Sequence, residues 1–266
     1  MNPIAFTLFG LEIRWYGIFI AIGALLAIRV AEYLARRNPL VPEESIMDFA
    51  LWGMILGILG ARIYYVIFEW SYYAQHPSEI LAIRNGGLAI HGGLIAGALV
   101  AYFFTKRKQI PFMELLDTVA PGVVLAQGIG RWGNFMNGEA HGGPTDLPWA
   151  ITVDGVSVHP TFLYESLLDV GIFLLLFLYV RKVRKYPGQM SAIYLALYSA
   201  GRFFIEGLRT DSLYVGPFRT AQLLSLILLL VALFIHFHFR KQSHPTAFQL
   251  TTPVGEKGRK KSTKRK

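Results

Sequence analysis

The 266-residue chain contains no cysteine, and only 16% of its residues are charged. The absence of cysteine excludes disulfides, thiolate metal sites, iron–sulfur ligation and a thiol nucleophile supplied by the protein itself. Hydrophobic residues make up 53% of the chain, which argues against an ordinary soluble enzyme. The first residues lack a basic stretch and a small-residue cleavage pattern, so we expect no removable signal peptide.

Long apolar stretches separated by polar, Gly- or Pro-bearing connections recur along the chain. A helix needs about 20 apolar residues to cross a bilayer. The third, fourth and sixth stretches are short or interrupted. We therefore predict an all-α polytopic membrane protein with about seven transmembrane helices. The stretches cover residues 15–34, 49–68, 88–104, 115–129, 162–180, 190–205 and 221–239.

Lysine and arginine are concentrated in alternate connections between the stretches. Of 26 such residues, 19 follow the first, third, fifth and seventh stretches. Because cytoplasmic loops retain basic residues, this pattern predicts an outside N-terminus and a cytoplasmic C-terminus. We expect a transmembrane domain over residues 1–240 and a disordered basic cytoplasmic tail over residues 241–266. Sidedness explains the basic excess, so nucleic-acid binding is not expected.

The other seven basic residues are all arginines, and they lie within the apolar stretches or at their outer ends. A charge at mid-membrane costs roughly 2.5 to 3.5 kcal/mol on insertion scales, so it usually faces a cavity or a partner. The planar guanidinium group suits phosphate. The alternative is a structural ion pair, such as Arg202 with Glu206 one helical turn away. The set comprises Arg14, Arg62, Arg84, Arg131, Arg202, Arg209 and Arg219.

The segment GRWGNFMNGEAHG, residues 130–142, combines an arginine, two amides and a carboxylate with several glycines. We interpret it as a loop at the membrane edge that holds a polar ligand, with Arg131 facing phosphate and Asn134 and Asn137 facing hydroxyls. The overlapping G-x-G-x-x-G at residues 128–133 ends an apolar stretch rather than following a strand, so dinucleotide binding is not expected.

Two further groups of polar residues lie near the outer ends of predicted helices. His91, between two glycine pairs in residues 85–93, is a candidate acid, base or ligand-orienting group, although a lone membrane histidine is more often structural. Tyr198, Arg202, Glu206 and Arg209 are spaced by four, four and three residues and share one helix face. A structural polar network is the alternative there. The histidines do not form a convincing metal site.

Other features have mainly structural interpretations. Tyr16 lies at the start of the first helix, where an interfacial aromatic belt is the simpler explanation. We expect the segment HPTFLYE, residues 159–165, to cap the fifth helix. Small-residue spacings at residues 53–57 and 93–97 favour close helix packing.

The motif at residues 130–142 resembles, without gaps, the signature of the bacterial prolipoprotein diacylglyceryl transferase family. One departure is Ala96, where the family usually has glycine; this puts no catalytic group in doubt. Nearly the whole chain except the tail takes part in the resemblance. It extends to Trp15-Tyr16-Gly17, Arg62 with Tyr65, His91-Gly92-Gly93, His159-Pro160, and Tyr198 with Arg202, Glu206 and Arg209.

The resemblance implies an enzyme of the bacterial inner membrane with its active site toward the outer leaflet. It implies transfer of an sn-1,2-diacylglyceryl group from phosphatidylglycerol to the lipobox cysteine thiol of a preprolipoprotein signal peptide. A thioether forms, glycerol 1-phosphate leaves, and neither a cofactor nor a metal is expected. The alternatives are an anionic-lipid transporter or flippase, or a transferase with another phospholipid donor. We find no internal repeat of the kind that transporters have.

For this reaction we expect Arg131 and Arg202 to bind the phosphate, and His91 or Tyr198 to accept the thiol proton. His91 is preferred by a small margin, because a phenol with an ordinary pKa near 10 needs a cationic neighbour to act as base. Asn134 and Glu139 are expected to meet headgroup hydroxyls or hold Arg131, with Tyr16 at the substrate mouth. The remaining expected substrate-binding residues are Asn137, Glu206, Arg209 and Gly92.

Overall fold

The computed structural model describes residues 2–83 and 86–241, which are mostly helical. Each predicted apolar stretch lies on a long helix. The long helices are α1 (Trp15–Ala35), α2 (Glu44–Phe68), α4 (Ile90–Lys108), α5 (Phe112–Asn137), α6 (Thr161–Leu174, extended by the π-helical Leu175–Val180 and by α7, Arg181–Val183), α8 (Gln189–Leu208) and α9 (Thr220–Lys241). The short α3 (Trp70–Tyr73) and a 3₁₀ turn (Pro77–Glu79) follow α2.

Within the described residues, 5 helices are long and apolar enough to cross a membrane. They are α1, α2, α5, the continuous α6–α7 helix and α9, whereas α4 and α8 do not meet that criterion. Half of the apolar window of α5 is buried, against 17 to 33% in the other four. One core cluster joins α5 to α1, α2 and α4, and a second joins it to α1, α6 and α8. Thus α5 is the central helix.

The all-α prediction is wrong in one respect, because three antiparallel hairpins lie between the helices. Strands of two to five residues are too short for an alternating pattern to identify them. They pair β1 (Ile4–Leu8) with β2 (Leu11–Arg14), β3 (Ile151–Val153) with β4 (Val156–Val158), and β5 (Tyr214–Val215) with β6 (Phe218–Arg219).

The prediction of a loop over residues 130–142 is also wrong for its first part. Helix α5 continues to Asn137, and Gly138 ends it with a φ of 71°. Glycines inside this helix allow α1 to approach closely, since a Cβ on Gly122 would lie 2.5 Å from the carbonyl oxygen of Ala27. The glycines and amides that suggested a loop therefore serve helix packing and the exposed end of a helix.

The two ends of the bundle differ in composition. At one end, the hairpin end, lie the three hairpins, the starts of α1, α4, α6 and α9, and the ends of α5 and α8. At the other, the basic end, lie Lys106–Lys108 at the end of α4, residues 181–185 and Arg240.

Helices α2 and α4 cross closely at Gly60 and Gly92, because a Cβ on Gly60 would lie 2.8 Å from the Gly92 carbonyl oxygen. Of the four glycines where we expected close packing, Gly93 packs on α2, since its Cβ would lie 3.6 Å from the Gly57 carbonyl oxygen, whereas a Cβ on Gly53, Gly57 or Gly97 would meet nothing within 4 Å.

A buried ion-pair network joins four segments at the basic end. The Arg184 guanidinium lies 2.7 Å from Glu114 Oε2 and 2.8 Å from Asp117 Oδ2. Asp117 also accepts hydrogen bonds from the Ser191 backbone and hydroxyl, and the Asn38 amide donates to Glu114. The sequence analysis counted Arg184 among the basic residues that indicate the cytoplasmic side, but its side chain is only 7% exposed. It therefore holds the basic end together.

We predict that Arg184→Ala destabilises the protein strongly, because it leaves two buried carboxylates without their cation. The expected cost is about 3 to 5 kcal/mol. Thermal unfolding of the purified protein in detergent measures it. Lys185→Ala, next in the chain but exposed, is the control and should change stability by less than about 0.5 kcal/mol. Equal unfolding temperatures for the two variants would contradict this assignment.

Candidate functional site

One buried carboxylate organises the polar groups of the hairpin end. The side chain of Glu165, in the second turn of α6, is 2% exposed and is approached by three guanidinium groups. Arg131 Nε lies 2.7 Å from Glu165 Oε2, Arg209 Nη1 lies 3.3 Å from Oε1, and Arg202 Nη1 also pairs with Oε1. We call Glu165 and these three arginines the arginine cluster. It joins the central helix to α6 and α8.

The expected pairing on α8 is present. Arg202 Nη2 lies 2.6 Å from Glu206 Oε2, one turn along the helix. Arg209, just after α8, pairs with Asp211 through Nε at 2.9 Å and Nη2 at 2.6 Å. These carboxylates belong to the network that the sequence left as an alternative to substrate binding. Two of the three arginines are thus held by two carboxylates each.

The Asp211 pair lies outside the membrane-spanning helices. Partial burial by itself would raise the pKa of the Asp211 carboxyl, but the hydrogen bonds and positive charge of Arg209 outweigh burial and lower the pKa below its ordinary value. A lowered pKa means that the pair is intact at neutral pH and is lost as the pH falls through the folded-state value. Arg209 is therefore fixed in position wherever the carboxyl is ionised.

Arg131 differs from its two neighbours in how much of its guanidinium group is used. It touches Glu165 only through Nε, in an ion pair that lacks hydrogen-bond geometry. Among the residues that the structure describes, Arg131 donates no side-chain hydrogen bond, and it interacts electrostatically with Glu165, Tyr198 and Asp169. Its side chain is 22% exposed, against 16% for Arg202 and 12% for Arg209. The donors of Arg131 are thus less used than those of its two neighbours, and the side chain is partly accessible.

The end of α5 carries the remaining polar residues of the motif. Asn134 and Asn137 donate their side-chain amides to Glu139 Oε1 at 2.9 and 3.1 Å. Glu139 is exposed, and no contact with Arg131 is present among the described residues. Glu139 therefore does not hold Arg131, which was one of its two expected roles. The three side chains form an exposed patch of acceptors and donors one turn beyond Arg131.

Tyr16 packs directly on α5 beside this patch. A Cβ on Gly133 would lie 2.6 Å from Tyr16 Cδ2 and 3.1 Å from its Cα, so only glycine fits without displacement. The Tyr16 side chain remains 40% exposed. The structure thereby brings Tyr16 next to the motif, as expected for a residue at the mouth of a site.

Tyr198 and His91 have different surroundings. The Tyr198 ring is tilted against that of Tyr194, with ring centroids 6.0 Å apart, and lies close enough to Arg131 and Glu165 to interact electrostatically with both. His91 lies in the first turn of α4 with its ring 5.9 Å from that of Tyr64 on α2. Across residues 2–83 and 86–241, no contact joins His91 to the arginine cluster. Gly92 is buried at the crossing of α2 and α4.

The set of seven arginines divides into groups with different roles. Arg62 is buried and donates to the backbone carbonyls of residues 79, 80, 86 and 87, so it holds a loop. Arg219 donates to the carbonyls of Glu206 and Arg209. Arg14 is exposed in β2. Arg84 and Asn85, like His244 and the tail beyond Lys241, lie outside the described residues.

Two buried acids were missed by the sequence analysis. Glu165 was treated only as part of a helix cap, yet neither it nor His159 caps α6; His159 instead contacts the Tyr164 hydroxyl at 3.3 Å. Asp169, one turn after Glu165, is fully buried, and its oxygens have no hydrogen-bond partner among the described residues. The available signal was an acidic residue inside an apolar stretch, a criterion that had been applied only to arginine.

Comparison with known proteins agrees with this arrangement. The family model for prolipoprotein diacylglyceryl transferase matches residues 3–238. A phosphatidylglycerol–prolipoprotein diacylglyceryl transferase of Clostridioides difficile (strain 630) is 55% identical over 91% of this chain and 97% of its own. The enzymes of that name from Finegoldia magna and Nostoc sp. are 50% and 45% identical over 91% and 96% of this chain, and over 97% and 96% of their own.

The chain belongs to the prolipoprotein diacylglyceryl transferase family, and so to a family of membrane-bound transferases. The residues matched by the family model include the whole arginine cluster and the motif at the end of α5. Among the described residues, no group of three or more His, Asp or Glu side chains is arranged to hold a metal ion.

We predict that Gly133→Ala destabilises the protein by about 1 to 3 kcal/mol, because its methyl group would displace Tyr16. Gly130→Ala, on the same helix, is the matched control, since its Cβ would meet only Ile20 Cδ1 at 3.6 Å. Replacing an unhindered helical glycine with alanine should stabilise by about 0.5 to 1 kcal/mol. Thermal unfolding of both variants should therefore give shifts of opposite sign. Shifts of the same sign would refute the close contact.

Proposed function

We propose that this enzyme transfers the sn-1,2-diacylglyceryl group of phosphatidylglycerol to the lipobox cysteine thiol of a preprolipoprotein signal peptide. The sulfur–carbon bond forms as the carbon–oxygen bond to phosphate breaks, and glycerol 1-phosphate departs. The names of its relatives specify phosphatidylglycerol and prolipoprotein for those proteins. The nucleophile comes from the protein substrate, which is consistent with a chain that has no cysteine. The reaction needs no cofactor.

The proposed setting is the bacterial cytoplasmic membrane, with the hairpin end and the site toward the outer leaflet. We propose that α4 and α8 cross the membrane together with the five apolar spans, which gives seven transmembrane helices. The N-terminus is then outside and the C-terminus cytoplasmic. The basic residues at the ends of α4, α7 and α9 support this orientation, since positive charge is retained on the cytoplasmic side.

The observation that carries the proposed mechanism is that Arg131, alone of the three arginines, donates no side-chain hydrogen bond to the described residues. Attack at the glyceryl carbon changes the leaving phosphate from a monoanion toward a dianion. Donors that hold the dianion better than the diester stabilise the transition state over the ground state, and so raise the rate. The terminal nitrogens of Arg131 match two phosphate oxygens in geometry.

The ion pairs of the cluster restrict what the other arginines do. If all three had been matched to carboxylates through every donor, no phosphate could bind. Arg202 and Arg209 are largely committed to Glu165, Glu206 and Asp211, whereas Arg131 is not. We therefore assign direct phosphate binding to Arg131. Arg202 adds positive charge nearby and is held in place by Glu206, while Arg209 helps to hold Glu165, the carboxylate that it shares with Arg202.

We assign the exposed groups beyond Arg131 to the polar headgroup. Asn134, Asn137 and Glu139 offer donors and acceptors that suit glycerol hydroxyls, with Glu139 Oε1 already oriented by both amides. Tyr16 borders the same patch and is assigned to the substrate mouth. Gly92 contributes indirectly, by letting α4 approach α2 so that His91 is positioned at the hairpin end.

We propose His91 as the base that accepts the thiol proton, with Tyr198 as the competing candidate. An imidazole with an ordinary pKa near 6.5 is largely neutral at pH 7, whereas a phenol is protonated. Tyr198 is the competing candidate because it lies beside Arg131 and Glu165. Because a thiol has an ordinary pKa near 8.5, ionising it at neutral pH costs little free energy, and either base could accept its proton.

We predict that Arg131→Lys lowers kcat by at least about 100-fold, because lysine keeps the charge but loses the bidentate fork. The assay uses reconstituted enzyme with phosphatidylglycerol and a lipobox peptide, and measures lipidated peptide and glycerol phosphate together. Arg14→Lys makes the same substitution at an exposed position and is the control. Normal turnover by Arg131→Lys would overturn the phosphate assignment. Lipid movement without cleavage by the unmodified enzyme would instead identify a flippase.

The base is identified by comparing the His91→Gln and Tyr198→Phe variants at pH 7. With His91 as base, His91→Gln should lose roughly 100- to 10,000-fold in rate, the usual contribution of a general base. Tyr198→Phe should lose much less. The opposite result, with the large loss only in Tyr198→Phe, would transfer the role to Tyr198.

A further inference from the structure

An apolar groove runs along the outside of the bundle between α2 and α4, away from the arginine cluster. Its volume is about 760 Å³, within the range of sites that bind small molecules. Trp52 and Leu56 of α2 form one wall, and Leu99 and Phe103 of α4 form the other. All four side chains are more than one third exposed, so the groove is open to its surroundings.

The groove has about the length of a single membrane leaflet. It begins where α2 and α4 touch at Gly60 and ends beside Asp48 and Lys108 at the basic end. The path from Gly60 to Asp48 is roughly 18 Å at 1.5 Å per helical residue. A hydrocarbon core is about 30 Å thick, so the groove spans about one leaflet. This is the leaflet of the basic end, opposite the proposed transfer site.

The mouth of the groove carries excess positive charge. Arg107 and Lys108 line it together with Asp48, and Lys108 Nζ lies 2.9 Å from Asp48 Oδ2. The Lys108 and Asp48 side chains are 45% and 53% exposed, so water weakens their pair. Arg107 is exposed and has no hydrogen bond or ion pair within the described part of the chain. Two cations and one anion leave the mouth with a surplus cation and an unused guanidinium group.

We infer that this groove binds one acyl chain of an anionic phospholipid from the leaflet at the basic end, with the lipid phosphate at Arg107 and Lys108. The apolar walls suit a hydrocarbon chain along their whole length, and the cationic mouth stands where the headgroup of that leaflet lies. An apolar helix or a second copy of the chain would fill the walls but would leave Arg107 without an anion. The site is separate from the one that supplies the transferred group.

Trp52 provides a reporter inside the groove. Acyl chains that carry bromine quench tryptophan fluorescence on contact, and the difference between the protein and its Trp52→Phe variant isolates the signal of Trp52. The protein is reconstituted in a neutral lipid, and brominated phosphatidylglycerol or brominated phosphatidylcholine is titrated in. A basic residue near the surface attracts anionic lipid by about 1 kcal/mol, which corresponds to about fivefold. We expect Trp52 to prefer the anionic lipid by at least that factor.

Three variants test the mouth of the groove. Arg107→Gln with Lys108→Gln should abolish the preference, whereas Lys182→Gln with Lys185→Gln removes equal charge elsewhere at the basic end and should retain it. Asp48→Asn frees Lys108 and should increase the preference, a change that a merely structural pair would not produce. Equal quenching by both lipids, or a preference that survives loss of Arg107 and Lys108, would overturn the proposal. Absence of quenching by either lipid would mean that protein fills the groove, and would overturn it too.

Discussion

The site depends on how buried charge is balanced around Glu165. A guanidinium group within a membrane is tolerated when a carboxylate or another acceptor compensates it. Glu165 compensates three at once. Its Oε1 pairs with both Arg202 and Arg209, and its Oε2 pairs with Arg131. Glu206 and Asp211 take up further donors of Arg202 and Arg209, whereas Arg131 donates no side-chain hydrogen bond to the described residues. Arg131 is also the most exposed of the three. In the proposed mechanism, Arg131 is therefore the residue that receives the phosphate.

The network at the basic end illustrates what a purely structural arrangement of the same residue types looks like. There, one arginine meets two carboxylates, and backbone and side-chain donors bond to both Asp117 oxygens and to Glu114 Oε2. The Arg184 side chain is 7% exposed, compared with 22% for Arg131. At the basic end one guanidinium group meets two carboxylates, whereas around Glu165 three guanidinium groups meet three, Glu165, Glu206 and Asp211. The two networks therefore differ in the exposure and hydrogen bonding of their arginines rather than in residue type.

The sequence predicted the long helices because apolar length alone determines which segments enter a bilayer. It also predicted the Arg202–Glu206 pair, since both residues lie on one helix. It could not show that Arg62 and Arg131 have different roles. The loop carbonyls that accept hydrogen bonds from Arg62, and the carboxylate that pairs with Arg131, come from distant parts of the chain. For the same reason Glu165 was missed. Short hairpins and the helical end of α5 depend on neighbouring helices, which local composition does not reveal.

Close helix contacts explain how the cluster is held ready for an anion. Along the α1–α5 contact, Gly23 faces Ala126, Gly122 faces Ala27 and Gly133 faces Tyr16. Backbones this close leave little freedom for α5 to shift, so the position of Arg131 is fixed before any lipid arrives. Stabilisation of a developing charge is effective when its donors need no reorganisation during the reaction. In the proposed mechanism, the glycines along this contact contribute through rigidity, and the polar patch beyond Arg131 meets the headgroup.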